Sequence, residues 1–454
     1  MTDPSPAGAE GASAEFLTRL LTVEPPLAPA ASLPSHQIRL TALSLLPAIA
    51  RAMPNTPGPD TAPAVIRADA ERALKAVLAA NKSITAAYPD LLAILLDEML
   101  GLGPLEVLRR DPAVTDILVN KFDEVYVERN GRLEPAEVAF INDDHFMALV
   151  HRLIGRAGRR VDQASPIADA LLPDGSRLNV ILPPLSVNGP SLSLRRHATH
   201  NLSLPQLVAA GSVPQRAAAL LILAIRGRLN ILLTGGAGAG KTTLLNAMSA
   251  YIAPGERIVT VEDVAELQMR QRHVVRLQTR PANLEGTGEI TLRDLVRQTL
   301  RMRSDRVIVG EVRGPEAWDM LTAMNTGAQG SLGTLHANQP VDAILRLEGL
   351  VALANPSLGL RAIRSNLASA LDLVVHVARF ADGVRRITDI DEVGAVDDEG
   401  VTLRPIYRYR GGRAGVSTAG GQDEFFELSD RLRRAASTLG LDDLLTAFSS
   451  QRSA

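Results

Sequence analysis

Apolar residues recur at helical spacing between Ala64 and Leu102, as Ile66, Ala70, Leu74 and Val77 and then Leu91, Leu92, Ile94, Leu95 and Met99. That period predicts two helices separated by a loop holding Pro89, with Gly101-Leu102-Gly103-Pro104 stopping the second. The pattern then shortens. Asp116–Asn120 and Glu124–Glu128 alternate as strands do, and Arg129-Asn130-Gly131-Arg132 turns the chain into a third strand over Leu133–Phe140. A helix around Asp143–Ala157 and strands at Ser176–Leu182 and Ser191–Arg195 complete an α+β pattern. From Ala217 onward, short apolar runs alternate with helical stretches, which predicts strands at Leu229–Thr234, Arg257–Glu262, Arg306–Val309, Gly330–His336 and Asp372–Val377. Alternation of this kind builds a mainly parallel sheet with helices on both faces.

These patterns divide the 454 residues. Residues 1–63, rich in Ala, Pro, Ser and Gly, read as a largely disordered arm with one short helix around Ile38–Ala52. Residues 64–104 form a helical segment, 105–200 an N-terminal α+β domain, and 201–214 a linker interrupted by Pro205, Gly211 and Pro214. An α/β domain follows at 215–410, and residues 411–454 are a tail with a helix.

Charge and composition narrow the function. The net charge is −2, so no global basic field draws the chain to nucleic acid or anionic lipid, and any such contact is local. The absence of cysteine excludes disulfides, thiolate zinc sites and a cysteine nucleophile. Met1–Glu10 lacks the basic and apolar regions of a secretory signal. The longest apolar runs, Leu40–Ala50 and Ala217–Ile225, fall short of the ~20 residues a bilayer span needs. The chain is expected to be soluble, with any membrane association peripheral.

The sharpest chemical signal follows the strand at Leu229–Thr234. Gly235, Gly236, Ala237, Gly238, Ala239, Gly240, Lys241 and Thr242 fit the phosphate-loop pattern G-x-x-x-x-G-K-[ST] at every required position. Glycine lets such a loop turn tightly and aim its N–H groups at phosphate oxygens. Lys241 then reaches the β- and γ-phosphates, the Thr242 hydroxyl ligates Mg²⁺, and the helix beginning KTTLLNAMS, with Thr243 in its first turn, turns its positive dipole end to the anion. A structural Gly-rich turn also satisfies the bare pattern, but the strand before it and the helix after it favour ATP and Mg²⁺.

Ligands of such sheets sit beyond the carboxyl ends of the strands, and each predicted strand here ends in polar chemistry. Val307-Ile308-Val309-Gly310 runs into Glu311, the candidate base for the attacking water. Glu262-Asp263, with Glu266 one turn on, is either a carboxylate set holding hydrated Mg²⁺ or the acidic first turn of a helix. His336 ends Gly330–His336, placed to touch the γ-phosphate region or to serve only as a packed histidine.

Together GGAGAGKTT (235–243), VTVEDVAEL (259–267), RMRSDRVIVGEVRG (301–314) and GSLGTLHAN (330–338) resemble the Walker A, Asp box, Walker B and His box of the type II and type IV secretion ATPase superfamily. Within it, GLGPLEVLRRDPAVTDILVNKFDEVYVERNGRLE (101–134), DGSRLNVILPP (174–184), GPSLSLRRH (189–197), TRPANLEGTG (279–288) and DMLTAMNTG (319–327) most resemble CpaF, the Tad/Flp pilus assembly ATPase. The resemblance runs from about Gly101 to about Tyr409. It implies an α/β protein with a RecA-like P-loop core, an N-terminal α+β domain and nucleotide held between the two. It also implies a cytoplasmic homohexamer, peripheral at the inner membrane, that docks on platform proteins and spends ATP on pilus extension. Carried onto this sequence, Glu262 is the Asp-box carboxylate, Glu311 the catalytic glutamate and His336 the His-box residue. Arg195, with Arg177 and Arg196 behind it, reaches the γ-phosphate from the N-terminal domain; by sequence alone, without the resemblance, Arg195-Arg196 reads as a basic strand end.

Departures from the family pattern are Ala237 and Ala239, where Thr and Ser are usual, and Gly333 before Thr334. The missing cysteines disfavour the zinc-bearing type II branch. Two other classes remain open: a nucleic-acid translocase using Arg293, Arg297, Arg301, Arg303 and Arg306 as a basic stripe, and a nucleotide-gated scaffold without hydrolysis. Aromatic residues at 3% leave little stacking surface for single strands, so no specific nucleic acid is expected as a partner.

Overall fold

A computed structural model describes residues 33–53, 63–79, 88–129, 131–196, 202–282, 287–410, 421–438 and 440–449. They divide into two compact units, Met1–Leu172 with Arg177–Arg196, and Pro173–Ser176 with His197–Ala454.

The first unit opens with helices Leu33–Ala52, Pro63–Ala79 and Tyr88–Met99. Ala42, Ile49, Leu74, Leu78, Leu91 and Leu95 bury against one another between them. The stretch expected as an arm therefore holds a helix longer than the short one at Ile38–Ala52, and its apolar face is covered by the two helices that follow. The rest of residues 1–63 lies outside the described residues, apart from Met53 and Pro63. Beyond a 3₁₀ turn at Gly103–Leu105 and the short helix Glu106–Arg110 come strands β1 (Val114–Lys121), β2 (Glu124–Arg129) and β3 (Arg132–Pro135). The helix Asp143–Arg156 precedes β4 (Ile167–Leu171), β5 (Arg177–Ile181) and β6 (Ser191–Arg195). They form one antiparallel sheet in the order β3-β2-β1-β6-β5-β4. Phe146, Leu149, Val150, Leu153 and Ile154 of the helix pack on its inner face, and Asn142 caps the helix by accepting the His145 N–H.

The second unit carries a nine-stranded sheet. Its parallel part comprises β7 (Ile231–Gly235), β8 (Ile258–Glu262), β9 (Val274–Gln278), β10 (Arg306–Val312), β11 (Leu332–His336) and β12 (Leu373–Arg379). The order is β12-β7-β11-β10-β8-β9, a RecA-like arrangement in which β7 is flanked by β12 and β11. Antiparallel strands β13 (Arg385–Val396), β14 (Val401–Arg410) and β15 (Gln422–Phe425) extend the β12 edge. Both faces are covered: Ile231, Leu233, Leu245 and Val375 lie in one apolar core, and Leu232, Val309, Leu335 and Val374 in the other. Alternate residues of β7 thus feed opposite cores, so the strand reads as an uninterrupted apolar run.

The expected linker is part of this unit. Leu204–Ala209 is a helix, and Leu204, Leu207 and Val213 join the core beside β7. The tail is integral as well, since β15 pairs with β14 and Leu428, Leu432 and Phe448 bury in that core. Arg216 clasps it, donating to the Phe448 carbonyl at 2.7 Å with its guanidinium 4.1 Å from the Phe425 ring centre.

Candidate active site

The polar loop after β7 is built on backbone conformations that only glycine adopts easily. Gly235, Gly238 and Gly240 have φ of 151°, 65° and 99°. A side chain at Gly235 would also place its Cβ 2.2 Å from the Val377 carbonyl oxygen, so β7 and β12 pair closely only because none is there. Ala237 lies exposed, whereas Ala239 is buried with its methyl in the apolar core. A serine there would bury a hydroxyl, which gives Ala239 a packing reason.

Lys241 opens the helix Lys241–Ser249 and is buried. Its ammonium donates to the carbonyls of Gly235 at 2.9 Å and Gly236 at 2.8 Å. Burial pushes its pKa down to about 8, against the pull of the Glu311 charge. Thr242 and Thr243 follow in the first helical turn, both half-buried.

The neighbouring strands bring the remaining groups to the same edge. Parallel pairing sets His336 beside Gly235, Val309 beside Gly333 and Val261 beside Val309. His336 Nε2 lies 2.7 Å from Glu311 Oε1, and Arg313 ion-pairs with Glu311 Oε2. Burial opposes ionisation of Glu311, but hydrogen bonding from Arg313 and the charges of Arg313, His336 and Lys241 outweigh it and hold the carboxyl below its ordinary range. Burial, joined by the positive charge of Lys241, lowers the His336 pKa although Glu311 favours the imidazolium. Glu311 is thus an ionised acceptor at neutral pH, the state a base requires.

Glu262 differs. Its carboxyl is 3% exposed, with Oε1 accepting the backbone N–H groups of Glu266 at 2.9 Å and Leu267 at 2.8 Å. Oε2 is buried and has no hydrogen-bond partner, and burial raises the pKa to about 7. Gly310 makes room for it: a Cβ there would stand 2.8 Å from Glu262 Cγ. The prospective three-carboxylate magnesium set does not assemble, because Glu262 turns into the fold to cap a loop and no group of three or more His, Asp or Glu among the described residues is placed to hold a metal.

The residues present nonetheless fit a nucleotide and its magnesium ion. The glycine cradle admits close approach of phosphate, Lys241 supplies a cation, Thr242 brings a hydroxyl to the first turn of the helix that follows, and Glu262 has an unused buried oxygen. Bound Mg²⁺ would neutralise charge on the β- and γ-phosphates.

Several members escaped sequence reading. Arg313 lies one residue beyond the end of β10 and two after Glu311, near enough along the chain for its guanidinium to pair with that carboxylate, and this closeness in sequence is the only signal for it. Thr334 donates to the Gly310 carbonyl at 2.5 Å and ties β11 to the end of β10. His376 on β12 is buried and lies 2.9 Å from the Thr234 hydroxyl one residue before the loop; nothing in the sequence marks it.

In the first unit, Arg177 and Arg195 are cross-strand partners on β5 and β6. Arg195 Nε donates to Asp116 Oδ1 at 2.9 Å and its side chain is largely exposed. Arg196 donates to the carbonyls of Asp111 and Val114 and so latches the end of β6 to the start of β1. The expected basic stripe also breaks up. Arg306 is wholly buried, and Arg293 and Arg297 both face Asp319, at 2.9 and 3.7 Å.

The profile of the family described as Type II/IV secretion system protein matches residues 98–429. The chain belongs to this family. A putative conjugal transfer protein of Mycobacterium tuberculosis is 45% identical over 307 residues, covering 66% of this chain and 86% of that protein. The conjugal transfer protein TrbB of Rhizobium radiobacter is 34% identical over 306 residues, covering 65% and 88%. Among solved structures, the VirB11 ATPase of the Brucella suis type IV secretion system, in complex with sulphate, is similar at 27% identity and a TM-score of 0.35, covering 64% of this chain and 95% of that one. This member of the secretion family has no described helix long and apolar enough to cross a membrane.

Proposed function

We propose that this family member is a motor ATPase that hydrolyses ATP with Mg²⁺ at the Gly235–Thr242 loop. The observation that carries the reading is the meeting of Glu311 and His336 at 2.7 Å beside the loop's lysine, on three adjacent parallel strand ends. Lys241 binds the phosphates, Glu311 accepts hydrogen from the attacking water, His336 orients Glu311, and Arg313 keeps that carboxylate ionised. Glu262 is assigned to the metal's water shell through its free oxygen. Arg195 and Arg177 are proposed as γ-phosphate contacts, a role that rests on the CpaF resemblance.

At a finer level, we assign the motor to Tad/Flp pilus assembly, acting as a cytoplasmic hexamer on inner-membrane platform proteins. This rests on the stretches shared with CpaF between residues 101 and 327. The relative that is 45% identical and named for conjugal transfer favours a second reading, export through a type IV secretion apparatus by the same motor.

Steady-state turnover by the full chain tests the first level. The wild type hydrolyses Mg·ATP; Lys241→Ala loses nucleotide binding, and Glu311→Gln binds but turns over about 10²–10⁴-fold more slowly. Absence of turnover in the wild type, even with its membrane partner present, would remove the motor reading and leave the nucleotide-gated scaffold. Deleting the chromosomal copy separates the finer readings: loss of surface pili favours Tad assembly, and loss of DNA transfer with pili intact favours conjugation.

A further inference from the structure

Strands β12 and β13 run antiparallel, and their register sets Arg379 directly opposite Arg385. Like charges paired across a ladder are unfavourable in themselves, yet both stand against the phosphate loop. Arg385 Nε donates to the Gly238 carbonyl at 2.8 Å, and a Cβ on Gly238 would lie 3.4 Å from Arg379 Nη1. The stem of Arg385 also passes the loop, with its Cδ 3.4 Å from where a Cβ on Gly240 would be.

The Gly238 carbonyl belongs to the same planar trans peptide as the Ala239 N–H, so the two point in opposite directions. Holding the carbonyl from the β13 side therefore aims the amide into the loop. In the structure the Ala239 N–H lies on the inner side of the loop and donates to the Gly236 carbonyl, 3.4 Å away, the same oxygen that Lys241 engages at 2.8 Å, so a bound phosphate would have to replace that carbonyl as its acceptor. Beside this contact a cleft of about 310 Å³ is lined by Leu207, Val213, Thr243, Leu244, Val377 and Arg385. It is apolar at its base, adjoins the start of the loop's helix, and carries the guanidinium in its wall, a combination suited to the nucleoside end of a nucleotide.

We propose that Arg385 is a positioning residue for the nucleotide, setting the Gly238–Ala239 peptide so that its N–H faces phosphate while its guanidinium borders the nucleoside cleft. The proposal rests on the nucleotide reading above. Arg385 acts on binding of every nucleotide state alike, so its loss raises KM without slowing the chemical step.

The test measures fluorescent ADP binding with Mg²⁺ and steady-state ATP turnover on the full chain, for wild type, Arg385→Ala, Arg385→Lys and Lys241→Ala, with melting temperatures alongside. Loss of one charge-assisted hydrogen bond predicts about tenfold weaker ADP binding and about tenfold higher KM in Arg385→Ala, with kcat within about twofold. Arg385→Lys, which keeps a cationic donor, recovers most of the affinity. If Arg385→Ala does not fold, Arg385→Met keeps the stem against Gly240 and is expected to show the same loss. Wild-type ADP affinity in the folded variant, or a fall in kcat at constant KM, overturns the assignment. Binding abolished by Lys241→Ala but intact in Arg385→Ala defeats this inference alone, whereas a wild type that binds no ADP defeats the nucleotide reading with it.

Discussion

Two glutamates at adjacent strand ends titrate in opposite directions, and the cause is local. Glu311 is surrounded by Arg313, His336 and Lys241, so charge favours its ionised form. Glu262 is buried more deeply, and its two backbone hydrogen bonds do not offset desolvation, so its pKa rises from 4.5 to about 7. A carboxyl that binds its proton more tightly when folded contributes stability fully below the unfolded pKa near 4.5 and loses it as pH rises through about 7. The difference is worth about 3 kcal/mol, at 1.36 kcal/mol per unit. Glu262→Gln, which carries no charge, is therefore expected to match wild type in denaturation near pH 4.5 and to exceed it by up to about 3 kcal/mol at pH 8, in the absence of nucleotide. Equal stability at pH 8 would show that the buried oxygen is solvated or paired in solution. The same variant is expected to lose turnover, because the oxygen that destabilises the free protein is the one assigned to the metal's water shell.

Among the elements, what was legible followed from local rules, and what was not depended on neighbours far along the chain. The phosphate loop, β7, β10 and β11 were readable because a buried parallel strand is an unbroken apolar run and its polar ending is adjacent in sequence. Strand β9, VVRLQ, was missed because it closes an edge and alternates weakly. Strands β13 and β14 carry charge at many positions and yield no elements from the apolar pattern, yet Asp391 and Arg408 are paired across them. Helix Leu33–Ala52 reads in sequence as a short piece of an arm because its cover comes from Leu74, Leu91 and Leu95. Arg306 shows the limit most sharply. In sequence it ends an arginine-rich stretch; in the fold it is wholly buried, bonded to Glu256 at 2.7 Å and to the carbonyls of Gly330 and Ile225 at 2.8 and 2.7 Å. It joins β10 to the loop before β11 and to the end of helix Gln215–Arg226. Removing one partner of a buried ion pair leaves an uncompensated charge, so Arg306→Ala is expected to destabilise the chain by about 3–5 kcal/mol in chemical denaturation. A loss under about 1 kcal/mol, the range of exposed pairs, would mean that Glu256 stays hydrated and the contact is a surface one.

For the molecule as a whole, the translocase alternative is a claim about charge, and the fold weakens it. The chain has 48 basic and 50 acidic side chains, so affinity for nucleic acid has to come from a concentrated patch. Of the five arginines that made such a patch conceivable, Arg306 is inaccessible and Arg293 and Arg297 share Asp319. That leaves Arg301 and Arg303 from the stripe, against the 6–10 phosphate contacts that give a protein its steep salt dependence. Duplex DNA labelled with a fluorophore is therefore expected to show no anisotropy change with the full chain up to about 10 μM protein at 150 mM salt, weaker than the tighter part of the ordinary non-specific range. ATP turnover is expected to be unaltered by the same DNA. Micromolar or tighter binding that falls steeply between 50 and 200 mM salt, together with stimulated turnover, would restore the translocase and locate its contact surface outside the arginine stripe. If binding is absent and turnover unaffected, the translocase reading falls and the arginine stripe is left as a set of structural ion pairs and solvated side chains.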